Sequence, residues 1–184
     1  KTEDLQDCMI NRLVKLEPKT LLIHRLDRDT SGILVFGLSR WGQKSISRQF
    51  QERQTDKTYQ AIVAGHLDGQ GTVDVPVIYD PSRPPLHIAE PSHNKPAVTE
   101  WKSVEHFEIQ GQPVTRVALT PITGRSHQLR VHMQFLGHPI VGDTLYAAPD
   151  QQDLMPRLCL HAERLSFYHP QTNERIEFIC PVPF

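Results

Sequence analysis

The amino-acid sequence predicts an α+β fold built on a mixed, largely antiparallel β-sheet. Strand-like runs follow one another in pairs that are joined by short turns, which is typical of hairpins. Helix-like segments are interspersed irregularly instead of following every strand. No GxGxxG or GxxxxGK[ST] motif is present, so a doubly wound nucleotide-binding fold is disfavoured.

The first half of the chain alternates helices with a short strand. Apolar positions on one helical face predict a helix over 4–16, which Pro18 ends. A polar loop over 24–32 leads into the apolar run 33–36, which we expect to be a buried strand. Ser39 can cap a following helix over 40–53.

The second half is dominated by strands. Alternating residues predict a strand over 57–64, and glycines and prolines then predict turns up to about residue 96. Strands over 97–107 and 114–119 are expected to form a hairpin across Gly111. A helix is predicted over 125–136, with Gly137 at its end, and a second hairpin over 158–168 and 175–179.

Composition restricts the class of protein. A chain of 184 residues with 38% hydrophobic and 22% charged residues allows one large domain or two small ones and needs no disulfide or metal to fold. A net charge of −1 excludes a uniformly basic nucleic-acid binder but not a local basic patch. Three cysteines without zinc-ligand spacing indicate a reducing, cytoplasmic compartment and no structural zinc. No apolar run reaches the roughly 20 residues of a membrane span.

The loop HRLDRDTSG, residues 24–32, places two carboxylates and two arginines before a strand. These residues alone favour a polar turn in which Asp29, Thr30 and Ser31 bond the local backbone. Three chemical alternatives stay open: Asp27 and Asp29 could bind a divalent cation, and Asp27 could be a phosphatase nucleophile. Asp27 could also attack a sugar or base carbon while an arginine holds it ionised.

Two other segments carry chemistry. In TGRSHQLRVH, residues 123–132, Arg125 stands at the start of the predicted helix, where the helix dipole disfavours a cation, so an anionic partner is expected. His127 and His132 are five positions apart, which is not a zinc-ligand spacing. On the strand that follows the second helix, Lys57 and Tyr59 share one face. Tyr59 is then either an ordinary half-buried tyrosine or a plate for a base, with Lys57 near phosphate.

The basic residues are concentrated around these segments. Residues 20–57 contain seven arginines and lysines against four acids, a net charge of +3, and residues 121–140 contain two arginines and no acid. A polyanionic substrate explains this coincidence better than a solvated helix face does.

Taken together, HRLDRDTSG, KxYxAxVxG, TGRSHQLRVH, GHPIVGD and LHA resemble the RluA family of pseudouridine synthases, from about Arg12 to Phe184. The family's KPxG-type opening strand motif and an S4 RNA-binding domain are not seen, so the resemblance implies a single catalytic domain, 1–184, that lacks its first strand. The resemblance implies a mixed sheet in two subdomains around a central RNA-binding cleft. It also implies isomerisation of uridines in stem-loops of 23S rRNA and the tRNA anticodon arm, by a monomer without cofactor or metal.

The resemblance also implies roles for individual residues. Asp27 matches the catalytic aspartate, Arg125 the arginine that pairs with it, and Tyr59 the tyrosine that stacks on the base and can move a proton. Ile122 matches the aliphatic residue on the other face of the base, and Arg25 the arginine that fills the gap left by the flipped nucleotide. Further candidates for RNA contact are Lys57, His24, Arg28 and Arg130. Attack at C1′ and a glycal route remain alternatives, as do a non-catalytic RNA-binding module and a magnesium-dependent phosphatase.

Overall fold

The computed structural model describes residues 7–184. Within this range the helices are α1 (Met9–Leu16), α2 (Arg40–Gln51), α3 (Gln128–Phe135) and α4 (Pro149–Gln152). The strands are β1 (Leu21–Leu22), β2 (Ser31–Gly32), β3 (Phe36–Gly37), β4 (Asp56–Ala64), β5 (Gln70–Asp74), β6 (Val77–Tyr79), β7 (His87–Ala89), β8 (Val98–Ile109), β9 (Gln112–Pro121), β10 (Leu160–Tyr168) and β11 (Arg175–Ile179).

The main sheet has seven strands. Its path is β11-β10-β4-β9-β8-β5, every neighbouring pair is antiparallel, and β2 pairs with β10 in parallel. Two small sheets, β1-β3 and β6-β7, lie off this path. The α+β class with a mainly antiparallel mixed sheet is therefore confirmed.

The core follows the two central strands. The end of β4 is a buried apolar run, Ala61–Ala64 in sequence, and it pairs with a stretch of β9 that is buried except at Arg116. Met133 of α3 and Ile140 join this cluster, and neither is exposed. A second cluster joins Val77 of β6 to Val131 of α3 and Tyr146, so the β6-β7 hairpin is fixed to the same helix. The antiparallel pairing puts the start of β4 beside the end of β9, and the packing brings the start of α3 next to them.

Several predicted elements are confirmed. The side chain of Ser39 accepts a hydrogen bond from the backbone N–H of Gly42 at 3.1 Å and caps α2. The hairpin across Gly111 is β8-β9, and the last two strands pair as predicted. The first helix begins at Met9, while Asp4 and Leu5, which the prediction included, lie outside the described residues.

Three predictions differ from the structure. The buried strand over 33–36 is wrong: β2 pairs with β10 and β3 with β1, so residues 33–35 cross between two sheets and stay partly exposed. The third helix begins at Gln128, not 125, because the side chain of Gln128 accepts hydrogen bonds from Arg125 N and Thr123 Oγ1 and holds a loop there. The stretch expected to be turns contains β5, β6 and β7. No helix within residues 7–184 is long and apolar enough to cross a membrane.

Candidate active site

A cleft of about 930 Å³ opens where the loop before β2, the start of β4 and the end of β9 meet. These segments are distant in sequence, but β4 lies between β10 and β9 and β2 pairs with β10, so their ends become neighbours. Most of the residues that the sequence singled out line the cleft: His24, Arg25, Asp27, Lys57, Tyr59, Ile122 and Arg125. Arg28 and Arg130 are not part of its lining.

The loop that carries Asp27 is anchored on the sheet. Thr30 donates its backbone N–H to the Asp27 carbonyl at 3.1 Å, which closes a turn, and the chain then pairs with β10. The hydroxyl of Ser31 lies 2.7 Å from Nδ1 of His161 and accepts a hydrogen bond from Arg157 Nη2 at 2.5 Å. Because His161 Nε2 faces the carbonyl of Cys180 at 3.1 Å and therefore carries the ring proton, Nδ1 is left to accept the proton of the Ser31 hydroxyl. The anchoring fixes Asp27 at the cleft, with its side chain 20% exposed.

Arg130 is the arginine that meets Asp27. Its Nη1 lies 3.9 Å from Asp27 Oδ2, and its Nε and Nη2 donate to both carboxylate oxygens of Asp143 at 2.7 and 2.6 Å. The ring of Tyr146 covers the guanidinium at 4.9 Å. Burial opposes the charge, but the hydrogen bonds to Asp143 and the charges of both carboxylates raise the pKa of Arg130. Arg130 is therefore a permanent cation between two carboxylates.

The structure corrects the pairing expected for Arg125. Its Nε donates to the carbonyl of Pro96 at 3.1 Å, and the ion pairs within residues 7–184 include none between Arg125 and Asp27. The physical reason is the loop before α3: Arg125 precedes the helix, whereas Arg130 lies inside it on a buried face. A sequence signal existed, because an arginine embedded in the apolar stretch LRVHM must have a carboxylate partner if that stretch is buried.

Tyr59 lies on β4 between Leu119 of β9 and Ala162 of β10. Burial, and then the negative charge of Asp27, raise the pKa of Tyr59 to about 12. The phenol is therefore protonated at neutral pH and can donate a hydrogen bond. Tyr59 and Ile122 line the same cleft, so a planar base has an aromatic and an aliphatic surface available to it.

Lys57 and His24 share the aromatic ring of Phe50. The His24 ring stacks on it at 4.6 Å, and His24 Nε2 accepts the backbone N–H of Val35 at 3.0 Å. Burial, and the nearby charge of Lys57, lower the pKa of His24 to about 4, so this histidine is neutral. Lys57 Nζ lies 5.9 Å from the centre of the Phe50 ring, and burial lowers its pKa. No ion pair in the described part of the chain includes Lys57, so its charge is available to an anionic ligand.

Sequence reasoning did not predict the contacts that support the site. Asp143 and Tyr146 hold Arg130, and His161 and Arg157 hold the Asp27 loop. Asp143 and His161 lie in the motifs GHPIVGD and LHA, whereas Tyr146 and Arg157 lie outside them, and no spacing indicated which loop any of the four would meet. Within residues 7–184, no three His, Cys, Asp or Glu side chains are grouped so that they could hold a metal ion.

Comparison with known proteins gives consistent matches. A family model described as RNA pseudouridylate synthase matches residues 1–135. The dual-specificity RNA pseudouridine synthase RluA of Pasteurella multocida is 49% identical over 162 residues, covering 88% of this chain and 73% of the relative. The RluA of Escherichia coli K12 is 42% identical over 186 residues, covering 100% of this chain and 83% of the relative.

Solved structures agree. Human RNA pseudouridylate synthase domain containing 1 superposes with a TM-score of 0.83 at 35% identity, covering 95% of this chain and 74% of the human chain. Human RNA pseudouridylate synthase domain containing 4 superposes with a TM-score of 0.70 at 26% identity, covering 89% and 72% of the two chains.

Proposed function

Because this chain belongs to the RNA pseudouridylate synthase family and is an isomerase that acts on RNA, we propose that it modifies uridines in stem-loops of 23S rRNA and of the tRNA anticodon arm. Relatives that are 42–49% identical bear the name dual-specificity RNA pseudouridine synthase, which supports two kinds of RNA substrate. Loop uridines suit the cleft because they cost less to unstack than uridines in a duplex.

The observation that carries the proposal is Asp27, held in a cleft beside both a fixed cation and a neutral tyrosine. In the reaction the N1–C1′ bond of uridine breaks, the base rotates, and a C5–C1′ bond forms. The C5 proton is lost and N1 gains a proton, so the atoms balance without a cofactor. Asp27 acts either as the nucleophile at C1′ or in a glycal route, and in both roles the Arg130 charge stabilises the carboxylate. Tyr59 stacks on the base and can donate a proton.

Reaching C1′ requires the uridine to leave its stack, which costs a few kcal/mol. Arg25 is exposed at the edge of the cleft and fills the vacated position in the stack, while Tyr59 and Ile122 receive the base. Lys57, Arg28 and Arg125 are proposed to contact phosphates. Affinity for RNA is then local to the cleft and falls as the salt concentration rises.

The protein is further proposed to act as a monomer in the cytoplasm. Its three cysteines are free thiols. Free thiols are typical of proteins from a reducing compartment.

Release of tritium from RNA that carries it at uridine C5 tests the proposal. The wild type is expected to release tritium, and Asp27→Ala is expected to release none. Asp29→Ala is the matched control, because Asp29 lies two positions away in the same loop but is exposed and does not line the cleft. Its release rate should stay within about threefold of the wild type.

Equal release by Asp27→Ala and the wild type would contradict the assignment. If the protein is a non-catalytic RNA-binding module, neither the wild type nor any variant would release tritium. Asp27→Ala would then bind RNA more tightly than the wild type, because it removes a negative charge. A magnesium-dependent phosphatase would instead release phosphate and lose that activity in EDTA.

A further inference from the structure

Four aromatic rings form a row from the surface of the β6-β7 hairpin to the Arg130 ion pair. Tyr79 contacts His87 with ring centres 5.5 Å apart, and His87 contacts His127 at 4.7 Å. His127 contacts Tyr146 at 5.6 Å, and the Tyr146 ring covers Arg130, which pairs with Asp27. One end of the row is therefore at the surface, and the other end touches the candidate catalytic pair.

The inner part of this row is held by hydrogen bonds. The Tyr146 hydroxyl lies 2.6 Å from His127 Nδ1 and accepts the backbone N–H of His87 at 2.9 Å. His87 is thereby fixed through its backbone, and its Nδ1 lies 3.2 Å from the carbonyl of Pro85. Because a carbonyl only accepts, Nδ1 carries the proton and Nε2 is left as the acceptor of the neutral ring. No hydrogen bond to His87 Nε2 is formed within the described chain.

The outer part of the row is open. Tyr79 lies directly opposite His87 in the two-stranded β6-β7 sheet, and 50% of its surface is exposed. Asp80, the acid next to it in sequence, is occupied by Arg83 and Ser82. An aromatic ring that is held from behind and free in front is a surface on which another planar group can stack.

We propose that Tyr79 and His87 form a stacking subsite for an unpaired nucleobase in the same RNA loop as the target uridine. This subsite rests on the proposed function, because continuity with the Asp27 site identifies the occupant as RNA. Unpaired bases of single-stranded loops stack on aromatic side chains, and every base offers a planar face. His87 Nε2 adds an acceptor for an amino or imino group at the edge of that base.

Binding and turnover of a hairpin RNA with tritium at C5 of the target uridine test the subsite under single-turnover conditions. Tyr79→Ala is expected to raise the RNA concentration at half-maximal rate by roughly five- to a hundredfold and to change the maximal rate by less than about threefold. Tyr79→Phe should match the wild type, because the ring is kept. Trp41→Ala is the matched control, since Trp41 is an aromatic residue of similar exposure, 57%, that belongs neither to the row nor to the cleft.

A second measurement identifies the partner as a base. The second experiment uses a series of RNA hairpins, each lacking one loop base. Removal of the base at one position should weaken binding to the wild type by the same factor as Tyr79→Ala does. Removal of that same base should not weaken binding to Tyr79→Ala any further. Tyr79→Leu, which keeps an apolar side chain on the strand, should behave like Tyr79→Ala. Wild-type affinity in Tyr79→Ala or Tyr79→Leu would overturn the subsite. The subsite would also be overturned if every base removal weakened binding to the wild type and to Tyr79→Ala by the same factor, which is the result expected if the row binds a protein instead. Failure of the wild type to release any tritium would instead count against the proposed function.

Discussion

Replacement of Asp143 by Asn tests whether the buried ion pair holds the site together. The carboxylate is fully buried, and the Arg130 side chain is 3% exposed. Asn keeps one oxygen for Arg130 Nη2 and for the backbone N–H groups of Leu145 and Tyr146, but its amide N–H₂ then faces Arg130 Nε, which is also a donor. Breaking one side of a buried pair costs about 3–5 kcal/mol, and Asp27 at 3.9 Å compensates part of this cost.

We therefore expect the free energy of unfolding to fall by about 3 kcal/mol, at the lower end of that range. For a chain of this length each kcal/mol lowers Tm by about 2–4 °C, so Tm should fall by about 6–12 °C. Urea unfolding followed by circular dichroism measures the change. Glu52→Gln is the matched control, because it neutralises the acid of the exposed pair with Arg48 and should leave stability unchanged.

The same variant tests catalysis at a temperature where it remains folded. A guanidinium that is no longer held by Asp143 shifts relative to Asp27, and we expect kcat to fall by roughly ten- to a hundredfold with little change in KM. An unfolding free energy within about 1 kcal/mol of the wild type would refute the energetic reasoning. Loss of stability with a wild-type kcat would show that Arg130 does not act on Asp27.

Two further predictions concern the loop and the histidine beside it. The pKa of His24 is lowered to about 4 from an ordinary 6.5, so as pH falls the unfolded chain takes up a proton at His24 before the folded chain does. The free energy of unfolding should therefore drop by about 2 kcal/mol between pH 7 and pH 5. Urea unfolding of His24→Gln should lack this part of the pH dependence. An equal slope in both proteins would exclude the neutral His24. Gly32→Ala should lower the free energy of unfolding by at least about 2 kcal/mol and lower tritium release, because φ is +112° and a Cβ would overlap the Ala162 carbonyl. Gly69→Ala is the control that should keep full release, since Gly69 has φ +85° but no atom near its Cβ position.

Local sequence patterns correctly predicted those helices and strands for which nearby residues and the packing of the fold favour the same structure. The capped helix after Ser39 and the hairpin across Gly111 could be read from sequence because a side-chain cap and a left-handed glycine act within a few residues. The apolar run at 33–36 could not be assigned, because its neighbours pair with different sheets. The start of the third helix was misplaced because the Gln128 side chain satisfies loop groups that a helix would otherwise use.

The sequence by itself determined the family, the sheet-based fold class and the motifs that carry Asp27 and Tyr59, because these depend on residue types at fixed spacing. Only the tertiary structure decided which arginine meets Asp27. Both Arg125 and Arg130 stand in one motif, and the loop before α3 places the first at a backbone carbonyl and the second, buried, between two carboxylates. Partners of that kind come from strands and loops far apart in sequence, and chain packing alone brings them within hydrogen-bonding distance.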